Sequence, residues 1–158
     1  MRILFCSQNP LVKELGAPKI LIELAEALGE FGWSCKIASP LEIRANQKHE
    51  KRFNLILFSE SLKDYLLKYA PEYDVVEYEH IFLPYPRIEF CAKILFVARV
   101  TLLTHHLMNL SIPLVKNYRS RLHALIMGRF DKLFHEKIMQ RIQITFSQAD
   151  LINVPNYD

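Results

Sequence analysis

The opening of the chain constrains its fold most strongly, because a short apolar run is followed by a loop and a helical pattern. The run Met1-Arg-Ile-Leu-Phe-Cys-Ser7 is of strand type. From Ala17 to Phe31, apolar residues recur at helical spacing and the charged residues lie mostly on the opposite side. The loop between them contains one glycine, Gly16. This order predicts the first βα unit of a parallel sheet.

Strand and helix patterns continue to alternate after this unit. The predicted strands are Trp33–Ser39, Asp74–Tyr78, part of Ala92–Leu103, and Ala149–Val154. Helical spacing covers Ser61–Tyr69 and Tyr118–Phe146, with Gly128 as a candidate break, whereas Asn54–Phe58 fits either a strand or the first turn of a helix. Alternating elements of this kind predict an α/β fold with a doubly wound, mostly parallel sheet covered on both faces. We expect a single domain over residues 1–158.

Composition and charge narrow the class of protein. The 158 residues are 51% hydrophobic and 23% charged, which excludes a disordered chain, and a net charge of +3 is too small to indicate nucleic-acid binding. Three widely spaced cysteines without a CxxC motif predict reduced, buried thiols in a cytosolic protein and no metal site; they are Cys6, Cys35 and Cys91. The apolar start is too short for a signal peptide. We therefore expect a cytoplasmic protein.

The loop after the first strand is the place where such folds bind phosphate, since backbone N–H groups at a helix N-terminus face the ligand there. It carries neither GxGxxG nor GxxxxGK[ST], so a tightly held dinucleotide or a P-loop nucleotide is not expected. Only Gly16 permits very close backbone approach. A ligand role for Gly16 and a turn that simply requires one glycine both stay open.

Charged and titratable residues follow the third and fourth predicted strands. Glu77, Glu79 and His80 lie at the C-terminal end of the strand Asp74–Tyr78, the edge where open α/β sheets bind ligands. A histidine there suits acid–base chemistry or contact with a hydroxyl, although an ordinary surface histidine is the alternative. Arg99 interrupts an apolar run, which indicates either a structural ion pair or an anion site.

Two further features come from the second half of the chain. One ring of His105-His106 is a candidate to face the cleft, because adjacent helical residues point in different directions. The segment Lys116–Arg141 carries seven basic residues against two acidic ones, interleaved with apolar residues. It suits contact with an anionic membrane surface, and a solvated helix face with a positive bias is the alternative.

Several short segments together resemble the N-terminal domain of GT-B-fold glycosyltransferases of family 4, the retaining "group 1" type. They begin with Arg2-Ile-Leu-Phe5 and with the loop glycine and helix from Gly16 to Leu28. Three others follow: Phe31-Gly-Trp-Ser34 at the family's G-H-x-V position, Tyr73–Val76 before its acceptor-side histidine loop, and Ala149–Val154 before its interdomain linker. The family's usual Gly-Gly is Gly16-Ala17 here, and its usual histidine after the first helix is Trp33.

The resemblance implies a Rossmann-like domain that forms the acceptor-side half of a GT-B glycosyltransferase. The nucleotide-sugar donor would be bound mainly by a second domain that these residues do not include, the acceptor would be a sugar or a lipid, and no metal would be needed. By resemblance, His80 or a residue near Arg99 would lie by the acceptor hydroxyl and the reacting carbon, with His80 as the candidate catalytic residue, and Gly16 and Ala17 would lie near the donor phosphates. Glu79, Arg99 and His105 would line the acceptor cleft.

Two other functions fit the same residues. The chain could be a separate subunit that completes its cleft with a donor-binding partner chain, possessing no catalytic activity alone. It could also be a non-catalytic flavodoxin-like binding module. In all three cases the sequence predicts peripheral membrane contact at the inner face only through Lys116–Arg141, and no nucleic-acid partner.

Overall fold

Strands and helices alternate along the chain, as the sequence predicts. The computed structural model describes residues 1–14, 16–44, 55–100 and 121–154, without the side chains at 121–132, 134 and 135. The elements in chain order are β1 (Arg2–Cys6), α1 (Gly16–Glu30), β2 (Ser34–Ala38), α2 (Pro40–Ile43), α3 (Leu55–Tyr69), β3 (Val75–Glu79), β4 (Leu95–Arg99), α4 (Arg121–Gln148) and β5 (Leu151–Asn153). Short 3₁₀ turns lie at Ala70–Glu72 and Arg87–Glu89.

The described strands form one open sheet with the order β2-β1-β3-β4-β5. Every neighbouring pair is parallel, so the expected mostly parallel sheet is entirely parallel. The register between β3 and β4 sets Glu77 opposite Val97 and Glu79 opposite Arg99. This is a Rossmann-like α/β domain, and the prediction of its fold class is confirmed.

The two faces of the sheet bury different sets of side chains. On one, here called the α1 face, Ile3 and Phe5 pack against Leu21 and its neighbours in α1. The opposite face carries the larger core, in which α3 and the C-terminal half of α4 cover the central strands. Because side chains alternate along a strand, Glu77 and Arg99 lie on the α1 face with Phe5 and Val97.

Local sequence signals explain where the short elements begin and end. α1 is followed by Gly32, whose φ of +80° is the left-handed conformation that glycine adopts without steric cost. The Ser39 hydroxyl accepts a hydrogen bond from Glu42 N while the Glu42 carboxylate accepts one from Ser39 N. This capping box, with Pro40 at the first helical position, explains why so short a helix as α2 forms after β2.

The structure decides three expectations from the sequence, on the start of α3, the continuity of α4 and the burial of the cysteines. Of the ambiguous run, Leu55–Phe58 form the first turn of α3, and Asn54 lies outside the described residues. α4 runs through Gly128 without the break that was considered there. Cys6 is buried, but Cys35 is only half-buried and Cys91 is exposed, so the prediction of three buried thiols is wrong for Cys91.

None of the helices in the described ranges combines the length and the apolar character needed to cross a membrane. His105 and His106, together with the first residues of the basic segment, lie at positions 101–120, outside the described residues.

Candidate functional site

The strand order places a topological switch point between β1 and β3. From β1 the chain crosses to β2 on one side, and from β3 it crosses to β4 on the other, so the two connections leave the sheet in opposite directions. In doubly wound sheets of this kind, ligands bind beside such a point at the carboxyl ends of the strands. The loop after β1, the start of α1 and the turn after β3 all lie at this carboxyl edge.

The loop after β1 is held by its own polar groups at its base. Ser7 is buried, its N–H donates to Ala38 O at 3.0 Å, and its hydroxyl donates to Asn9 O at 2.8 Å. Gly16 is the first residue of α1, and a Cβ built there would meet nothing within 4 Å. Its φ is not positive, unlike that of Gly32. The interpretation of Gly16 as a turn that requires glycine is therefore not supported by packing or by backbone conformation.

Gly16 and Ala17 are both exposed at the start of α1. Their N–H groups belong to the first turn, whose donors have no partner inside the helix. Pro18 follows within the same turn, is buried, and contributes no N–H. The helix start can thus offer fewer donors to an anion than an ordinary helix N-terminus.

Arg99 forms an ion pair across the two central strands. Its Nη1 donates to Glu77 Oε1 at 2.7 Å, and the side chains are 13% and 8% exposed. The bond is diagonal, because the register partner of Arg99 is Glu79 and Glu77 lies two residues earlier on β3. Of the two sequence-based interpretations of Arg99, the structure shows the ion pair.

His80 directly follows β3 and is completely buried, so it is not the surface histidine that was the alternative. Its backbone N–H donates to Arg99 O at 3.0 Å, which extends the ladder between β3 and β4 by one bond. Its ring stacks on Phe146 of α4, with 5.8 Å between ring centroids and 20° between the planes. The ring therefore lies under α4 and does not border an open surface.

The next two residues of the same turn are also held by helices. Phe82 packs edge-on against Phe58 of α3, with centroids 4.8 Å apart. Arg141 of α4 donates from Nε to Ile81 O at 3.4 Å and from Nη2 to the Ser59 hydroxyl. Burial lowers the pKa of Arg141, although the nearby Tyr85 and Glu60 partly offset this effect. Arg141, assigned from the sequence to a basic surface, instead joins α4 to α3 and to the turn after β3.

The predicted site residues thus divide into those that the fold brings together and those that it does not test. Glu79 and Arg99 lie opposite each other at the ends of β3 and β4, and Gly16 and Ala17 lie at the same edge beyond β1. His80 directly follows β3, but its ring lies on the opposite face of the sheet, under α4, and is not brought to the side chains of Glu79 and Arg99. His105 lies outside the described residues. In the part of the chain that is described, no group of three His, Cys, Asp or Glu side chains has the geometry of a metal site.

Glu77 is the site residue whose role sequence reasoning missed. The signal was a carboxylate within a strand of apolar residues, one strand before an arginine in a similar position. Aligning the starts of the two strands would have placed both charges on one face of the sheet.

No protein-family model matches the chain, and no curated protein or solved structure matches it at a significant level. We therefore infer the function from the residues and their positions in the fold.

Proposed function

We propose that the chain is the acceptor-side domain of a retaining, sugar-nucleotide-dependent glycosyltransferase whose donor site is completed by a second domain or a partner chain. The supporting observation is the carboxyl edge of the sheet. There, α1 and the turn that carries His80 follow β1 and β3, and the Glu77–Arg99 pair joins β3 to the last residue of β4, beside a switch point. The resemblance to family-4 glycosyltransferases turns this general ligand edge into a specific activity, because fold alone does not define function.

In this proposal each side of the edge has its own task. The first turn of α1, with Gly16 and Ala17, contributes N–H groups to the donor diphosphate, and most donor contacts come from the second domain or partner chain. Glu79, Arg99 and His105 orient the acceptor. Positioning the acceptor and stabilising the leaving diphosphate provide most of the rate acceleration, so half of a cleft contributes only part of it.

His80 is the proposed proton-handling residue, and its burial imposes a condition. A ring that is fully buried under Phe146 reaches an acceptor hydroxyl only when α4 or the turn after β3 shifts on closure of the cleft. Burial also means that His80→Ala would leave a cavity in the core. His80→Gln, which is closer in volume and retains polar atoms, is the better probe of proton transfer.

The test is a transfer assay on the natural gene product, isolated with any chain that accompanies it. Labelled uridine, guanosine and adenosine diphosphate sugars are offered with sugar and lipid acceptors, and we expect transfer from one donor class. His80→Gln should lower turnover by about a hundredfold while the fold is retained. Calorimetry on the 158-residue chain alone should detect only weak donor binding. A submicromolar dissociation constant for any nucleotide sugar would contradict the half-site proposal.

Membrane contact through the basic segment Lys116–Arg141 belongs to the same proposal in a reduced form. Arg141 cannot take part, because its guanidinium is bonded inside the domain. Lys137, one turn earlier on α4, is exposed and remains a candidate.

A non-catalytic binding module is the second candidate, and one observation favours it. The strand order 2-1-3-4-5 is that of flavodoxin-like folds, which bind ligands at the β1/β3 switch point without a second domain. Tight binding of a flavin or another planar ligand by the 158-residue chain, without any transfer activity, would support this function.

A further inference from the structure

We infer that Glu77 and Arg99 act together as a recognition element for the hydroxyl groups of a neutral sugar, and that Glu77 prevents Arg99 from binding phosphate. The inference deepens the proposed function, on which it rests for the identity of the acceptor. It assigns to Glu77 a specificity role in the acceptor site.

The first step is that Arg99 is held but not saturated. Among the described residues its guanidinium donates one hydrogen bond, to Glu77, although the group has five N–H donors. The side chain keeps 13% of its surface in contact with solvent. A mostly buried cation that retains some contact with solvent and has further N–H donors, at the edge of the sheet where ligands bind, is able to bind a further acceptor atom.

The second step is the chemistry that the pair offers. Arginine only donates hydrogen bonds and an ionised carboxylate only accepts them. A hydroxyl group does both, so adjacent hydroxyls of a sugar can accept from Arg99 and donate to Glu77 at the same time. A phosphate group accepts but does not donate when fully ionised, and it would meet the Glu77 carboxylate as a like charge.

The third step concerns net charge. The 2.7 Å bond leaves Glu77 and Arg99 with no net charge as a pair. Bringing a dianion to this position gains little attraction from Arg99. A neutral polyhydroxylated ligand loses nothing by the same arrangement.

The experiment observes the Arg99 Nε–H resonance by ¹H–¹⁵N NMR in the 158-residue chain. A panel of neutral methyl glycosides is titrated in parallel with inorganic pyrophosphate. We expect at least one glycoside to shift the Arg99 resonance in a saturable manner, and pyrophosphate to leave it unchanged. In Glu77→Gln the preference should reverse, with glycoside binding weakened about tenfold or more and pyrophosphate now shifting the resonance.

Matched variants separate this role from a general loss of charge or of folding. Glu72→Gln removes the carboxylate from the exposed Arg2–Glu72 pair at the opposite edge and should leave both titrations unchanged. Arg99→Lys retains the charge but loses the planar group and the observed Nε–H, so its glycoside binding is measured by calorimetry beside the unaltered chain and should be weaker. This comparison tests the inference even where Glu77→Gln does not fold. Pyrophosphate binding to Arg99 in the unaltered chain, or a resonance that responds to none of the glycosides, would overturn the inference.

The outcome is distinguishable from failure of the proposed function. Glycoside binding at Arg99 without transfer by the natural gene product would support the recognition element and contradict the proposed transferase function. Transfer with an Arg99 resonance that no glycoside affects would do the reverse.

Discussion

Two arginine–carboxylate pairs lie at opposite edges of the sheet, and they differ in how completely the arginine is used. Arg87, at the amino edge, is engaged on all sides by the segment before β4 and by the start of β5. Its guanidinium contacts are Asp150 Oδ2 at 3.2 Å, Cys91 O at 3.1 Å, Ile94 O, and the Phe96 ring, whose centroid is 4.4 Å away. Arg87 N–H also donates to Gln148 Oε1 at 2.7 Å.

The guanidinium of Arg99, at the carboxyl edge, is bonded in the described chain to Glu77 alone. The difference shows that the arginine at the amino edge has a structural role, whereas the arginine at the carboxyl edge has N–H donors that can still bind a ligand. Arg87 fixes a proline-containing connection that forms no long helix of its own, and three guanidinium hydrogen bonds serve this purpose. Arg99 is fixed by one bond at the edge where doubly wound sheets bind ligands. The following predictions test this contrast.

The largest loss of stability is expected for substitution of Arg87, whose guanidinium makes three hydrogen bonds. Arg87→Met removes three side-chain hydrogen bonds and leaves the Asp150 carboxylate with only the Phe96 N–H as a donor from the described set. Urea denaturation should show a loss of about 3 kcal/mol in the free energy of unfolding. Arg2→Met is the control, because its pair with Glu72 is more than half exposed and should cost less than about 1 kcal/mol. Equal losses in the two variants would remove the distinction.

The pair at the carboxyl edge should contribute less to stability. Glu77→Gln retains the shape of the side chain but leaves the Arg99 cation without its counter-ion, and we expect a loss of about 2 kcal/mol. The loss should be smaller than for Arg87→Met because Arg99 keeps some contact with water. Glu72→Gln, measured in the same urea series, should be almost neutral. A greater loss of stability for Glu77→Gln than for Arg87→Met would show that the Glu77–Arg99 pair has the larger structural role.

Arg141 provides an intermediate case, with polar partners but no carboxylate. Arg141→Met loses the hydrogen bonds to Ser59 and to Ile81 O. It also removes the cost of burying the guanidinium charge, the same burial that lowers the pKa of Arg141. We expect a net loss of about 1 kcal/mol by thermal or urea unfolding. Lys137→Met, on the exposed side of the same helix, should change stability by less than about 0.5 kcal/mol. Identical changes in the free energy of unfolding for both variants would indicate that Arg141 is part of the exposed basic surface.

Local periodicity was enough to predict most of the fold. β1, α1 and the stop at Gly32 follow from residues that are close in sequence, and the structure confirms them. The first turn of α3 was ambiguous because a short apolar run suits both helix and strand. Gly128 did not interrupt α4, since one glycine costs about 1 kcal/mol relative to alanine and a 28-residue helix anchored by packing can absorb it.

The candidate site was less predictable because its contacts join distant segments. The sequence indicated that Arg99 is unusual, but the pairing with Glu77 depends on the register of two strands. The burial of His80 depends on Phe146, a residue of the last helix. Neither relation leaves a periodic pattern that could be detected before the fold is known. The glycosyltransferase assignment stays a prediction from resemblance.

The smallest predicted effect is electrostatic and uses Cys6 as an internal reporter of the carboxyl-edge pair. Burial raises the pKa of the Cys6 thiol from 9.0 to about 12, while Arg99 lowers it and Glu77 raises it to lesser extents. The unfolded chain therefore ionises first as the pH rises. The stability due to neutral Cys6 is complete below about pH 9 and is lost progressively toward pH 12.

Glu77→Gln removes the contribution that raises this pKa and retains the one from Arg99, so the Cys6 pKa should fall slightly. The measurement is the free energy of unfolding between pH 9 and 12, with Cys6→Ala in each background to subtract every other titrating group. The Cys6-dependent loss of stability should be slightly smaller in Glu77→Gln than in the unaltered chain. Arg87→Met, at the far edge, should leave it unchanged. A Cys6 pKa that rises in Glu77→Gln would mean that Arg99 moves away once its partner is lost, and that one bond does not hold it in place.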